Sequence, residues 1–193
     1  NANKFILDLY QTQIKATNSR TLRHRIEHAQ ILAISDIPRF AKLNVIASMQ
    51  ATHATSDKNM AQDRLGEQRI QGAYAWRKLL SENVIIAAGS DFPVESPNPF
   101  FGLHASVTRQ DHQNQPENGW FASEKMTRLE AFRSFTYDAA YAGHQEKLIG
   151  SLARGKKADF ILLNDDFFTT KQENIWQNKV LATWGNGKKV YSR

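Results

Sequence analysis

The sequence predicts an α/β protein with a parallel sheet, followed by a small antiparallel β element. Three segments of strand length each follow a stretch with helical periodicity: residues 23–29, where alternate residues share a face, and residues 45–49 and 84–91, which contain apolar runs. Alternation of this kind favours βα units and a parallel sheet. After residue 150 the pattern changes to short strands separated by glycine-marked turns. That change favours an antiparallel arrangement at the end of the chain.

Each element has a local signal of its own. Thr127 and Glu130 have the spacing of a capping box, which marks a helix start, and Asn186-Gly187 is a tight hairpin signal. Residues 50–57 are polar, and we expect an irregular segment there. The predicted elements are, in order, helix 3–17, strand 23–29, helix 35–43, strand 45–49, helix 63–83, strand 84–91, helix 100–110, helix 127–142, and strands 158–163, 179–184 and 189–192.

Composition excludes several classes of protein. Among 193 residues, 41% are hydrophobic and 23% charged, and no apolar run approaches the roughly 20 residues of a membrane helix. The net charge is +6, but the basic residues are scattered, so we expect no nucleic-acid partner. Without cysteine, the available metal ligands are histidine and carboxylate. We expect a cytoplasmic protein, with export through an upstream signal peptide left open.

Three residues are candidates for chemistry. Asp91 follows the apolar run 84–88, where a buried strand becomes a proline-punctuated loop, and His28 closes the strand at 23–29. Imidazole and carboxylate converging from the ends of neighbouring strands suit a catalytic metal site. The alternatives are a structural histidine and a turn or helix-capping aspartate. His53 follows a strand, as ligand-contacting residues in such folds do, although an exposed loop histidine is the simpler interpretation.

Three segments together resemble the amidohydrolase superfamily, most closely the branch of family-3 amidohydrolases that contains N-substituted formamide deformylase. They are Arg-Ile-Glu-His-Ala-Gln at residues 25–30, Gly-Ser-Asp-Phe-Pro-Val at residues 89–94, and the run from Ile149-Gly150 through Ala158-Asp159-Phe160. Their order and spacing make the match specific. Residues 49–66, with Gln50, His53 and Asp57, also look like that branch.

The resemblance implies the C-terminal part of a metal-dependent (β/α)₈ TIM-like barrel, namely its last three strands with their helices, plus strands of a small β-sandwich. The implied domains are residues 1–148 for the barrel portion and 149–193 for the sandwich segment. By the same resemblance, His28 and Asp91 are metal ligands, and Asp91 is the catalytic residue that takes the water proton. His53 is a weaker candidate for substrate binding. The implied cofactor is a divalent metal, with Zn²⁺ favoured.

The implied function is hydrolysis of carbon–nitrogen bonds other than peptide bonds, in small amide or formamide-type substrates. Two of the family's ligands have counterparts here, whereas a catalytic zinc site takes three from protein. We therefore expect a C-terminal fragment that is inactive alone, binds metal weakly or not at all, and self-associates through exposed barrel surface. The alternative is a non-catalytic binding or assembly module derived from an amidohydrolase barrel.

Overall fold

A computed structural model describes residues 2–193 of the chain. Its helices and strands alternate through the first half and give way to a purely β segment at the end. The elements are α1 (Ala2–Thr17), β1 (Arg25–Glu27), α2 (Ile37–Leu43), β2 (Ile46–Met49), α3 (Ala51–Arg69), α4 (Trp76–Ser81), β3 (Ile86–Ala88), α5 (Pro99–Thr108), α6 (Arg128–Phe135), α7 (Tyr137–Ala142), β4 (Phe160–Leu163), β5 (Val180–Gly185) and β6 (Lys188–Ser192). The predicted α/β class is confirmed.

The first sheet is parallel, with β2 at its centre and β1 and β3 on either side. Ile26 pairs with Ala47, which in turn pairs with Ile86, and this buried row packs into the main core. On the opposite face Arg25 and Glu27 remain exposed and form an ion pair of 2.5 Å. The predicted pairing of Glu27 with a neighbouring arginine is thereby confirmed. On this same face Ile46 and Ala87 are buried against Ala142 and Tyr141 of α7, so the face is covered in part and stays open at its β1 edge.

The segment predicted to be irregular at 50–57 is helical instead. Helix α3 begins at Ala51, directly after β2 ends at Met49. The buried positions in its first two turns are small, namely Ala51, Thr52 and Ala54. A helix that buries alanine and threonine against the core has no stripe of large apolar residues, so periodicity could not reveal it.

The long helix predicted over 63–83 is also wrong. Helix α3 has a non-helical residue at Gly66 and ends at Arg69, and α4 starts only at Trp76. Between them the chain pairs with the segment that follows β1: Leu32 donates its amide to the Gly72 carbonyl at 2.9 Å, and Tyr74 donates to Gln30 at 2.8 Å. These long-range hydrogen bonds replace helical ones, which is why the helix is interrupted there.

The predicted helix start at Thr127 is confirmed. Its hydroxyl accepts from the Glu130 amide, and the Glu130 carboxylate accepts from the Thr127 amide, which completes the capping box. The helix does not run unbroken to Ala142, because Thr136 adopts φ −124° and ψ −91° and separates α6 from α7. Phe132 of α6 is 40% exposed and packs near Phe168 of the C-terminal segment.

The C-terminal segment forms the predicted antiparallel sheet, in the order β4-β5-β6. Asn186 and Gly187 both have positive φ, as a two-residue hairpin with a type I′ turn requires. Phe160 stacks on Trp184 at 4.6 Å, whereas Ile161 and Leu162 of β4 remain exposed. The domain boundary after residue 148 falls between α7 and β4 and stays a prediction. None of the helices within residues 2–193 is long and apolar enough to cross a membrane.

His104, fully buried in α5, makes the stability of the fold sensitive to acid. Burial lowers the pKa of His104 to about 4 from an ordinary 6.5, while its Nε2 lies 3.2 Å from the Asn114 side-chain oxygen. His112 lies beside it, with ring centroids 6.1 Å apart, and the Asp111 carboxylate acts on the His104 pKa in the opposite direction to burial. Because the folded protein resists protonation here, protons bind the unfolded chain preferentially between pH 6.5 and 4.

We therefore expect that His104 adds no pH dependence to the free energy of unfolding above pH 6.5. Between pH 6.5 and 4, its contribution should lower the free energy of unfolding by about 3 kcal/mol. Urea unfolding at several pH values measures this, and His104→Gln should flatten that part of the profile. The exposed His144 provides the matched control, since His144→Gln should leave the slope unchanged. A His104→Gln profile parallel to that of the unmodified chain would contradict the prediction.

Candidate metal centre

His28 and Asp91 lie at the same edge of the parallel sheet. Strand β1 ends at Glu27 and strand β3 ends at Ala88, so both residues follow carboxyl ends of parallel strands. Both adopt left-handed backbone conformations, with φ of 66° at His28 and 58° at Asp91. The strand alternation therefore stops at Glu27, and a turn, not the strand pleat, directs the His28 side chain.

His53 joins them from the first turn of α3. Because α3 starts immediately after the central strand β2, its first turn lies between the two outer strand ends. The ligand atoms of His28, His53 and Asp91 all lie within 4.8 Å of one another. His53 Nε2 is 3.9 Å from Asp91 Oδ2, and the His28 and His53 rings are stacked with centroids 5.9 Å apart. All three residues singled out from the sequence thus meet at one place.

The hydrogen bonds around the cluster leave its ligand atoms free. His28 Nδ1 lies 2.9 Å from Gln50 Oε1, an oxygen that can only accept, so Nδ1 carries the proton and Nε2 keeps its lone pair. His53 Nε2 is buried and has no hydrogen-bond partner within the described chain. Such an orphaned buried nitrogen normally has a partner. The residues present therefore fit a divalent cation at this position.

The three side chains differ in their access to solvent. The His53 side chain is only 11% exposed, whereas that of Asp91 is 39% exposed. Among residues 2–193, the Asp91 carboxylate caps no helix or turn, so the alternative of a purely structural aspartate has no hydrogen bond to support it. The cluster consequently has a buried wall formed by His53 and an open side at Asp91, where a substrate and water can enter.

A second layer of polar groups fixes α3 against the sheet. Asp57, one turn beyond His53, accepts hydrogen bonds from the Gln30 amide at 2.8 Å and from the Tyr74 hydroxyl. Burial and the neighbouring Asp57 raise the pKa of Tyr74, so this hydroxyl stays protonated and donates. Because Gln30 follows His28 by two residues, the same network anchors both histidine-bearing segments.

Two further contacts hold the same stretch of α3. Ser56 donates to Glu95 at 2.6 Å, which links the helix to the loop after Asp91. Lys58 pairs with Asp111 at 2.8 Å and is largely buried. The spacing of Gln50, His53 and Asp57 is helical, and that was the one sequence signal for this arrangement. It was obscured because small and polar residues surround it.

The other histidines do not join the cluster. His104 lies in α5 and is next to His112, which stacks on Trp176 of the C-terminal segment at 4.8 Å. His24 stacks on Tyr10 of α1, and His144 is exposed. Within the described residues, His28, His53 and Asp91 are the single group of three whose ligand atoms converge.

Two histidines and an aspartate at the carboxyl edge of a parallel sheet place this chain among α/β proteins with a candidate metal centre. The chain belongs to the amidohydrolase family, whose family model matches residues 3–191. The family predicted from the three sequence segments is confirmed.

Relatives and solved structures agree with this membership. Protein LONG AFTER FAR-RED 3 of Arabidopsis thaliana is 35% identical over 98% of this chain and 32% of its own length. N-substituted formamide deformylase of Arthrobacter pascens is 25% identical over 97% of this chain and 34% of its own length. The crystal structure of an uncharacterized metal-dependent hydrolase from Pyrococcus horikoshii matches with a TM-score of 0.73 and 25% identity, over 86% of this chain and 32% of that one. The chain spans about a third of the length of these proteins.

Proposed function

We propose that the intact protein containing this chain is a metal-dependent hydrolase that cleaves carbon–nitrogen bonds in small amides or formamides. The observation that carries the proposal is the convergence of His28, His53 and Asp91 at the carboxyl edge of the sheet in an amidohydrolase-family chain. The name of the Arthrobacter pascens relative, which refers to N-substituted formamides, supports this substrate class.

Zn²⁺ is the ion we propose, because imidazole and carboxylate donors without thiolates suit it. When bound, such an ion supplies Lewis acidity and a water of lowered pKa. His28 would hold it through Nε2, since Gln50 keeps Nδ1 protonated. Asp91, on the open side of the cluster, would accept the proton of the attacking water and return it to the leaving nitrogen. In this scheme His53, which forms the buried wall beside this opening, keeps its predicted role as a substrate contact.

We also propose that the first sheet corresponds to the last three strands of a (β/α)₈ barrel and that β4 to β6 belong to a small β-sandwich. The two outer strands β1 and β3 support this, because among residues 2–193 each pairs on one side only, whereas the strands of a closed barrel pair on both sides. Three of eight strands would not complete the active site. We therefore propose that the 193-residue chain alone is inactive and self-associates through the exposed barrel surface at these strand edges, which light scattering at tens of micromolar measures. A clean monomer would count against self-association.

The test is an assay of the intact protein, loaded with Zn²⁺, on N-substituted formamides, cyclic amides, ureas and acylated amino acids. We expect amine release from at least one class, loss of that activity after chelation, and recovery when Zn²⁺ is restored. The 193-residue chain in the same assay serves as the negative control. Failure of the zinc-loaded protein to cleave any of these classes would favour the non-catalytic binding or assembly module instead.

A further inference from the structure

We propose that His53 is itself a metal ligand, so that His28, His53 and Asp91 form a divalent-cation site contained within this one chain. This goes beyond a substrate contact for His53 and beyond the expectation that two ligands leave the chain metal-free. It rests on the metal centre of the proposed function but does not require that the protein hydrolyse anything.

The burial of His53 Nε2 is the first reason. Its side chain is 11% exposed, and this nitrogen has no hydrogen-bond partner in the described chain. A substrate contact would usually lie on the open side of the site, whereas His53 forms the buried wall. An imidazole nitrogen that has lost its water and gained no partner is destabilising unless another group satisfies it, and a cation facing it would do so.

Geometry is the second reason. The three ligand atoms lie within 4.8 Å of one another, and His53 Nε2 is 3.9 Å from Asp91 Oδ2. Ligand atoms around a tetrahedral zinc ion are about 3.4 Å apart, given bonds of about 2.0–2.1 Å. The atoms must therefore approach by up to about 1.4 Å, and the exposed Asp91 side chain can rotate to provide part of that movement. Three protein ligands with one open position is the arrangement of catalytic zinc sites.

The surrounding hydrogen bonds are the third reason. Gln50 is the single residue between β2 and α3. Its side chain holds the His28 ring in its orientation. Asp57, held by Gln30 and Tyr74, fixes the turn of α3 that follows His53. Outer groups that set the orientation of ligating histidines are a regular feature of metal sites. Both histidines are thus held in place by neighbours that do not themselves contact the cation.

Zinc binding by the 193-residue chain tests the proposal without any substrate. A chromophoric chelator is titrated against the unmodified chain and against His28→Gln, His53→Gln and, as the matched control, the exposed His144→Gln. We expect one Zn²⁺ per chain, an affinity reduced at least about tenfold in both His28→Gln and His53→Gln, and no change in His144→Gln. Circular dichroism verifies that each variant is folded.

X-ray absorption of the zinc-bound unmodified chain gives a second measurement that needs no variant, because imidazole rings contribute a countable scattering signal. Two imidazoles per zinc are expected, and one would overturn the proposal. Zinc affinity in His53→Gln within twofold of the unmodified value would also overturn it and return His53 to substrate contact. No zinc binding by the unmodified chain would refute the site as a property of this chain, while the hydrolysis assay on the intact protein would still decide the proposed function.

Discussion

Asp91→Asn is expected to lower the turnover number of the intact protein in the proposed hydrolysis by about 10²–10⁴-fold, because general acid–base catalysis contributes about that much. The substitution keeps the side-chain volume but removes the group that would accept the proton of water and deliver it to the leaving nitrogen. Folding should hardly change, since the Asp91 side chain is 39% exposed and its carboxylate supports no hydrogen bond in residues 2–193. Steady-state kinetics measure the effect.

Two controls make this result specific. Asp165→Asn alters an exposed aspartate of the C-terminal segment and should leave turnover unchanged. The zinc content of each protein must be measured as well, because Asp91 is also a proposed ligand and its amide would bind metal more weakly. Turnover within a few-fold of the unmodified enzyme, at full zinc content, would remove Asp91 from the catalytic role.

Arg109→Ala is expected to lower the free energy of unfolding by about 4 kcal/mol, a large fraction of the total stability of a typical domain. The Arg109 side chain is fully buried, and burial lowers its pKa to about 10. It donates to the Tyr74 carbonyl at 2.9 Å and to the Trp120 carbonyl at 2.7 Å. Its guanidinium also lies over the Trp76 ring at 4.3 Å.

Removing the Arg109 side chain would leave two buried carbonyls without donors and a cavity beside two tryptophans. Urea unfolding monitored by tryptophan fluorescence measures the loss, and Arg154→Ala, at an exposed arginine, should change stability by less than about 0.5 kcal/mol. A loss below about 1 kcal/mol in Arg109→Ala would mean that the carbonyls find other donors. Tyr74 also contacts Asp57, so this substitution would loosen α3 as well.

The parallel sheet could be predicted from the sequence because buried strands in such sheets are continuous apolar runs. Ala47 and Ile86 lie in two such runs, whereas Ile26 lies in a polar segment whose alternate residues share a face, and each of the three segments contains a strand. The hairpin at Asn186-Gly187 and the capping box at Thr127 were equally predictable, since their signals are local. These features depend on residues close together in the chain.

The helix breaks could not be predicted, because distant residues cause them. Gly72 shows this well: a Cβ atom built there would lie 1.8 Å from the Leu32 carbonyl oxygen, so the chain segments approach too closely for a side chain. Gly72 and its neighbours exchange helical hydrogen bonds for bonds to the segment after β1. Helix propensity at residues 70–75 is outweighed by this tertiary pairing.

The candidate site was only partly visible in the sequence. His28 and Asp91 could be recognised from their positions after strands, but the grouping of His53 with them depends on β2 lying between β1 and β3. Sequence alone does not give the order of strands in the sheet. The Asp57, Tyr74 and Gln30 network was missed for the same reason, since its members are separated by up to 44 residues.

The spread of the three candidate ligands along the chain has a consequence for the unfolded state. A cation bound by all three would act as a cross-link that closes two successive loops, of about 25 and about 40 residues. The sequence has no cysteine, so disulfides cannot provide such a restraint. Loss of the ion would then restore conformational freedom to the stretch from residue 28 to residue 91, which includes all of β2, α3 and β3.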